Sequence, residues 1–100
     1  MGIREKMTRA HEDSWLADSL SLEDRRIAEF IASIATNIQR QRHALGYTQH
    51  DLANKLGVSQ VMISRWENGE ENFTVATLAK ISVALEMELH NPLESRAMAV

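Results

Sequence analysis

The chain has 100 residues, 44% of them hydrophobic and 25% charged, a size that buries one core and leaves no room for a second independent domain. It contains no cysteine, which excludes a disulfide framework and thiolate metal sites and agrees with a reducing cytosol. Its formal net charge is -3, an awkward balance for a nucleic-acid binder, so such a function has to be carried by a local arrangement of residues.

At the N-terminus, "MGIREKMTRAHED" carries charges of both signs where a signal peptide would be apolar, and no stretch is apolar enough to span a membrane. A cytoplasmic location is therefore expected. Residues 1–30 read as an N-terminal arm or helix for dimer or partner contact, residues 31–90 as the folded domain and residues 91–100 as a tail. Within the arm, Trp15, Leu16 and Leu20 suggest either a short amphipathic segment or an exposed extension.

Apolar residues at spacings of three and four (Ile27, Ile31, Ile34, Ile38, then Leu45) predict an all-α protein. Ser21 and Asp24 form a capping pair that predicts the start of the first strong helix, and Gly46 its end. Between Leu22 and Leu45 the pattern fits one long helix or two collinear ones. Thr48 with Asp51 caps "QHDLANKL", which Gly57 closes. Ser59 caps a helix from Gln60 to Asn68, closed by Gly69. Two short helices joined by so tight a glycine turn make a helix-turn-helix. Thr74 caps the next helix, with Phe73 placed to staple onto Leu78. Beyond it, Leu85, Met87 and Leu89 alternate before Pro92, as a frayed helix end or a short edge strand.

On a wheel of 100° per residue centred on Ile63, Trp66 and Glu67 fall on the buried side of the Gln60 to Asn68 helix. Val61, Ser64, Arg65 and Asn68 gather on the opposite side, with Gln60 on the flank of the first turn. A carboxylate turned inward needs a cation or donors, and Arg42 is the best-placed cation for a bidentate, structural pair with Glu67. The alternative is a Glu67 that reaches water beside Trp66.

The stretch "TQHDLANKLGVSQVMISRWENG" resembles the helix-turn-helix of the lambda-repressor and Cro-like, or Xre-type, regulators. The likeness runs from about Ile34 to Leu89 and rests on Thr48-Gln49, Ala53 at the helix crossing, the Gly57 turn, Ile63 and the closing "RWENG". It implies a compact five-helix domain, here with an added N-terminal helical segment, that binds double-stranded DNA as a homodimer with the second helix of the motif in the major groove. It further implies base contacts from Gln60, Val61, Ser64 and Arg65, and phosphate contacts from Thr48, Gln49, Asn68 and Arg40. Gln49 and Asn68 also read as caps or solvated polar groups, Arg65 as a solvated surface residue, and Val61 as a contact with a protein neighbour.

More loosely, the layout of leading helix, helix-turn-helix and short tail resembles DNA-binding antitoxins of toxin-antitoxin pairs, which implies a toxin as partner and repression of its own operon. One departure from the pattern is "NGEENF": Glu70 and Glu71 stand where many relatives carry basic residues. Between Ala32 and His90, five basic residues (Arg40, Arg42, Lys55, Arg65, Lys80) face six acidic ones. This supports the competing reading of a protein-interaction module that does not bind DNA. No catalytic group, cofactor or metal is expected: the four histidines share no ligand spacing, and no phosphate-binding glycine loop is present.

Overall fold

A computed structural model of the chain describes the backbone of residues 14–93 and 95 and the side chains of residues 21–93 and 95. The described residues form four helices and no strand: α1 (Ser14–Ala44), α2 (Gln49–Leu56), α3 (Gln60–Glu67) and α4 (Val75–Ala84). The domain is all-α, with four helices where the resemblance implies five. The leading segment and the first helix of the domain are one element, and after Ala84 the chain runs on without regular structure to Pro92.

Ser21 lies inside α1 and does not start it. A capping pair marks where a helix is able to begin, and here nothing upstream obliges it to: the run from Ser14 to Ala44 holds neither Gly nor Pro, so the helix extends past the cap. The arm of residues 1–13, like the side chains of Trp15, Leu16 and Leu20, lies outside the described residues.

The core fills the space between the C-terminal half of α1 and the three short helices. Ile38 comes from α1, Leu52 and Ala53 from α2, Ile63 and Trp66 from α3, and Ile81 from α4, with Leu85 just beyond it. Ala53, with only a methyl group, lets α2 and α3 approach where they cross. Phe73 stands against Trp66 with ring centroids 6.1 Å apart and tilted by 46°, closing the core beneath the turn that leads to α4. A polar clamp adds to this packing, as the Gln41 amide on α1 donates to the Leu85 carbonyl at 2.9 Å and satisfies the end of α4.

Each helix ends on the same hydrogen-bond pattern, in which an amide beyond the end reaches back five residues. The bonds are Tyr47 to Arg42, Val58 to Ala53, Glu70 to Arg65 and Met87 to Ser82. That turn needs one residue at positive φ. Glycine supplies it at Gly46, Gly57 and Gly69, but at the end of α4 Glu86 does so with φ 56°. An L-residue in this region costs about 1–2 kcal/mol, part of which glycine gives back through its freer unfolded chain. Glu86→Gly is therefore expected to stabilise the domain by about 0.5–1 kcal/mol, read as a rise of a few degrees in thermal midpoint. An unchanged or lower midpoint would show that the Glu86 side chain compensates for its backbone.

The alternation at Leu85, Met87 and Leu89 arises from this turn and not from a strand. Leu85 is fully buried, Met87 is half-buried against the core, and Leu89 is 47% exposed.

Candidate nucleic-acid interface

The interface is built on α2 and α3, and its geometry begins with their caps. The Thr48 hydroxyl accepts from the Asp51 amide at 3.0 Å, while the Thr48 amide donates to the Asp51 carboxylate at 2.9 Å. The backbone bond from Thr48, and then its side chain, hold the Asp51 carboxyl below the usual carboxylate range. The reciprocal cap is thus closed at neutral pH. At α3, the Ser59 hydroxyl accepts from the Met62 amide at 3.2 Å. Gly57, left-handed at φ 67°, turns the chain between them, and an added Cβ there would meet nothing within 4 Å, so its requirement is one of backbone conformation alone.

With both ends fixed, α3 presents two unlike faces. Ile63 and Trp66 are buried, and the Glu67 side chain is 3% exposed. On the other face Gln60 and Arg65 are exposed, Val61 is 63% exposed, and Ser64 is half-buried. Gln60, Val61, Ser64 and Arg65 therefore occupy one outward strip. Asn68, just past the helix end, is exposed and directs its amide to the Ser64 hydroxyl at 3.5 Å, a long bond that holds it only loosely. Thr48 is exposed at the start of α2, where its hydroxyl accepts the capping bond from the Asp51 amide. Arg40 is exposed near the C-terminal end of α1.

Beneath the strip lies a buried polar knot. The Arg42 guanidinium meets the Glu67 carboxylate through two bonds, Nε to Oε2 at 2.6 Å and Nη2 to Oε1 at 3.0 Å. Its Nη1 donates to the Tyr47 carbonyl at 2.8 Å. Gln49 is the third member, with its amide nitrogen 3.2 Å from Glu67 Oε1. The knot ties α1, α2 and α3 together at the point where α2 begins, and every buried polar side-chain atom among the described residues has a partner.

The wheel reading gave no sign of Gln49 as a donor to Glu67. A signal existed, since a carboxylate accepts more bonds than one guanidinium fork supplies, and the first residue of α2 is the nearest amide. Nor did it reveal that Arg65 Nη1 is held by Glu71 Oε1 at 3.2 Å, a pair 53% and 32% exposed. The Gly69 turn folds the chain back so that a residue six positions on faces the arginine.

Three comparisons bear on this geometry. The helix-turn-helix family HTH_3 matches residues 38–90. Antitoxin HipB of Escherichia coli K-12 is 38% identical over 56 residues, covering 56% of this chain and 64% of that protein. HipB of a second Escherichia coli strain, CFT073, is 33% identical over 75 residues, covering 75% of this chain and 77% of its own. Among solved structures, an HTH_3 family transcriptional regulator from Vibrio cholerae superposes with a TM-score of 0.58 at 34% identity, over 62% of this chain and 35% of that one. A chain of the HipA-HipB-O2-O3 complex does so at 0.55 and 32% identity, over 65% of this chain and 92% of that one. The chain thus spans a little under two thirds of one antitoxin and about a third of the Vibrio regulator. The family match covers more than half of the sequence and the full helix-turn-helix, and the chain belongs to the HTH_3 helix-turn-helix family.

Proposed function

We propose that this chain is a sequence-specific DNA-binding repressor that acts as a homodimer, and that it is the autoregulating antitoxin of a toxin-antitoxin pair. The observation that carries the reading is the outward strip of α3, whose N-terminal end is free while its other face is locked into the core. Helix-turn-helix proteins place such a strip in the major groove, where side chains near the N-terminus of the helix meet base edges.

In this reading the Gln60 amide pairs with an adenine, Arg65 forks onto a guanine, Val61 covers a thymine methyl and Ser64 adds a hydrogen bond. Thr48, Asn68, Arg40 and Gln49 serve the phosphates. Gln49 does so chiefly through its backbone amide at the first turn of α2, because its side chain already donates to Glu67. Arg42 and Glu67 are structural, since Arg42 is buried and its guanidinium is bonded at all three nitrogens, out of reach of a phosphate. The antitoxin role, with a toxin as second partner, draws its support from likeness to HipB and to a chain found in complex with HipA. The protein works in the cytoplasm, has no catalytic role and needs no cofactor. No described helix is long and apolar enough to cross a membrane.

The test is a footprint on the DNA upstream of the protein's own gene. Two protected half-sites about one DNA turn apart are expected, both lost in the Gln60→Ala, Arg65→Ala double variant. If neither that region nor any site from an unbiased selection is protected, the DNA reading fails. Arg65, held by Glu71 beside Glu70, then belongs to a protein-binding surface.

A further inference from the structure

We infer that the apolar trough beside the N-terminal half of α1 is the seat of a second copy of this chain, so that two chains pair about a two-fold axis through their α1 helices. All residues from Ser21 to Phe30 are exposed, because α1 runs past the body of the domain before its C-terminal half enters the core. Ile27 and Phe30 stand 53% and 46% exposed on the stripe that continues into the half-buried Ile31 and Ile34. Across from them, α4 offers Val75, 75% exposed, and the chain after α4 offers Leu89 and Leu93, 47% and 82% exposed. Two adjoining hollows of about 620 and 780 Å³ share Phe30, Ser33, Ile34, Leu78 and Pro92 and make one continuous trough.

Area, charge and position select the occupant. The five exposed apolar side chains present on the order of 600 Å², at the upper end of the largest apolar patch on a typical monomer and close to the ~800 Å² per partner of a standard interface. An apolar groove is the kind of surface that takes up the apolar face of a helix, and the same chain carries such a face, exposed at Ile27 and Phe30. Residues 14–30 of α1 span about 25 Å.

Charge points the same way. Arg26 and Glu29 line the trough three residues apart with opposite signs. A two-fold contact must be self-complementary, and here it brings Arg26 of each copy toward Glu29 of the other. A partner of one dominant sign gains at one of these residues what it loses at the other. Position agrees as well, because no residue of α2 or α3 lines either hollow. Pairing through the trough leaves both α3 strips free, as binding to two half-sites requires. The choice of occupant rests in this last respect on the proposed DNA reading.

The test is sedimentation velocity of the full chain without DNA. Wild type is expected to be a dimer at tens of micromolar, and the Ile27→Asp, Phe30→Asp variant a monomer with unchanged far-UV circular dichroism. Arg26→Glu and Glu29→Arg, both on exposed residues and harmless to folding, are each expected to weaken the dimer at least threefold, and combining them to restore it. On DNA, the Ile27→Asp, Phe30→Asp variant is expected to bind a single half-site like wild type while losing roughly 10²-fold or more on a paired site.

A monomeric wild type would overturn the proposal, whether residues 1–13 or another protein then covers the trough. So would a dimer that survives Ile27→Asp, Phe30→Asp, or a double charge reversal that fails to restore pairing. Because association is read in the absence of DNA, failure to find an operator counts against the proposed function and leaves this surface standing.

Discussion

Arg42→Ala is expected to destabilise the domain by about 3–5 kcal/mol, since removing one partner of a buried pair leaves the other charge uncompensated. Both partners are buried, with side chains 8% and 3% exposed. After the change Glu67 keeps one neutral donor, the Gln49 amide at 3.2 Å, and the Tyr47 carbonyl loses the bond from Nη1. A domain of this size has only about 5–15 kcal/mol in total, so the variant comes near to unfolding at growth temperature. The same logic makes Glu67→Ala comparably severe, because it strands a guanidinium. Replacing both, as Arg42→Met with Glu67→Leu, removes the unpaired charge and is expected to recover much of the loss. Urea denaturation of the two single variants and the double variant measures the coupling directly. An Arg42→Ala protein within 1 kcal/mol of wild type, at unchanged m-value, would mean that water enters the knot and solvates Glu67.

How far such a knot can be read from sequence depends on what each signal measures. Caps and turn glycines are local: Thr48 with Asp51, Ser59, Thr74, Gly46, Gly57 and Gly69 bracket the helices because they satisfy backbone groups within a few residues. Helical periodicity places Ile63, Trp66 and Glu67 on one side of α3, and the all-α fold follows from it. What periodicity leaves out is the partner across space. Glu67 shows a need for donors, yet the Gln49 side chain and the Arg65 to Glu71 contact depend on how α2 and the Gly69 turn are set in three dimensions. A second limit appears where a signal permits without compelling. Ser21 offers a cap, but α1 runs through it for want of a breaker, and the alternation after Ala84 looks like a strand when a left-handed Glu86 has produced it. Local chemistry marks where elements are able to start and stop, and packing selects among those places.

The largest expected functional effect lies in the outward strip. Each bidentate contact to a base edge is worth about 1–3 kcal/mol, so Gln60→Ala with Arg65→Ala is expected to lower affinity by roughly 10²–10⁴-fold per operator half-site, while non-specific binding falls only by the few-fold that loss of one cation entails. Salt dependence distinguishes this interface from a basic one. Arg40 is the single cation per chain assigned to phosphate, and Thr48, Gln49 and Asn68 contribute neutral donors. At about 0.9 counterions per neutralised phosphate, a dimer is expected to show a slope of log K against log salt of roughly -2 to -4. A slope of about -6 or steeper would place further cations on the DNA. Glu71 sets the remaining term. Arg65 must leave Glu71 to reach a guanine, and an exposed pair of this kind is worth about 0.2–1 kcal/mol. Glu71→Gln is therefore expected to tighten operator binding by a few-fold and non-operator binding by less, because loss of a negative charge beside the backbone helps both while the released Arg65 helps only where it meets a guanine. The acidic turn then restrains Arg65 at the cost of operator affinity, and a measured specificity ratio that falls in Glu71→Gln would refute that role.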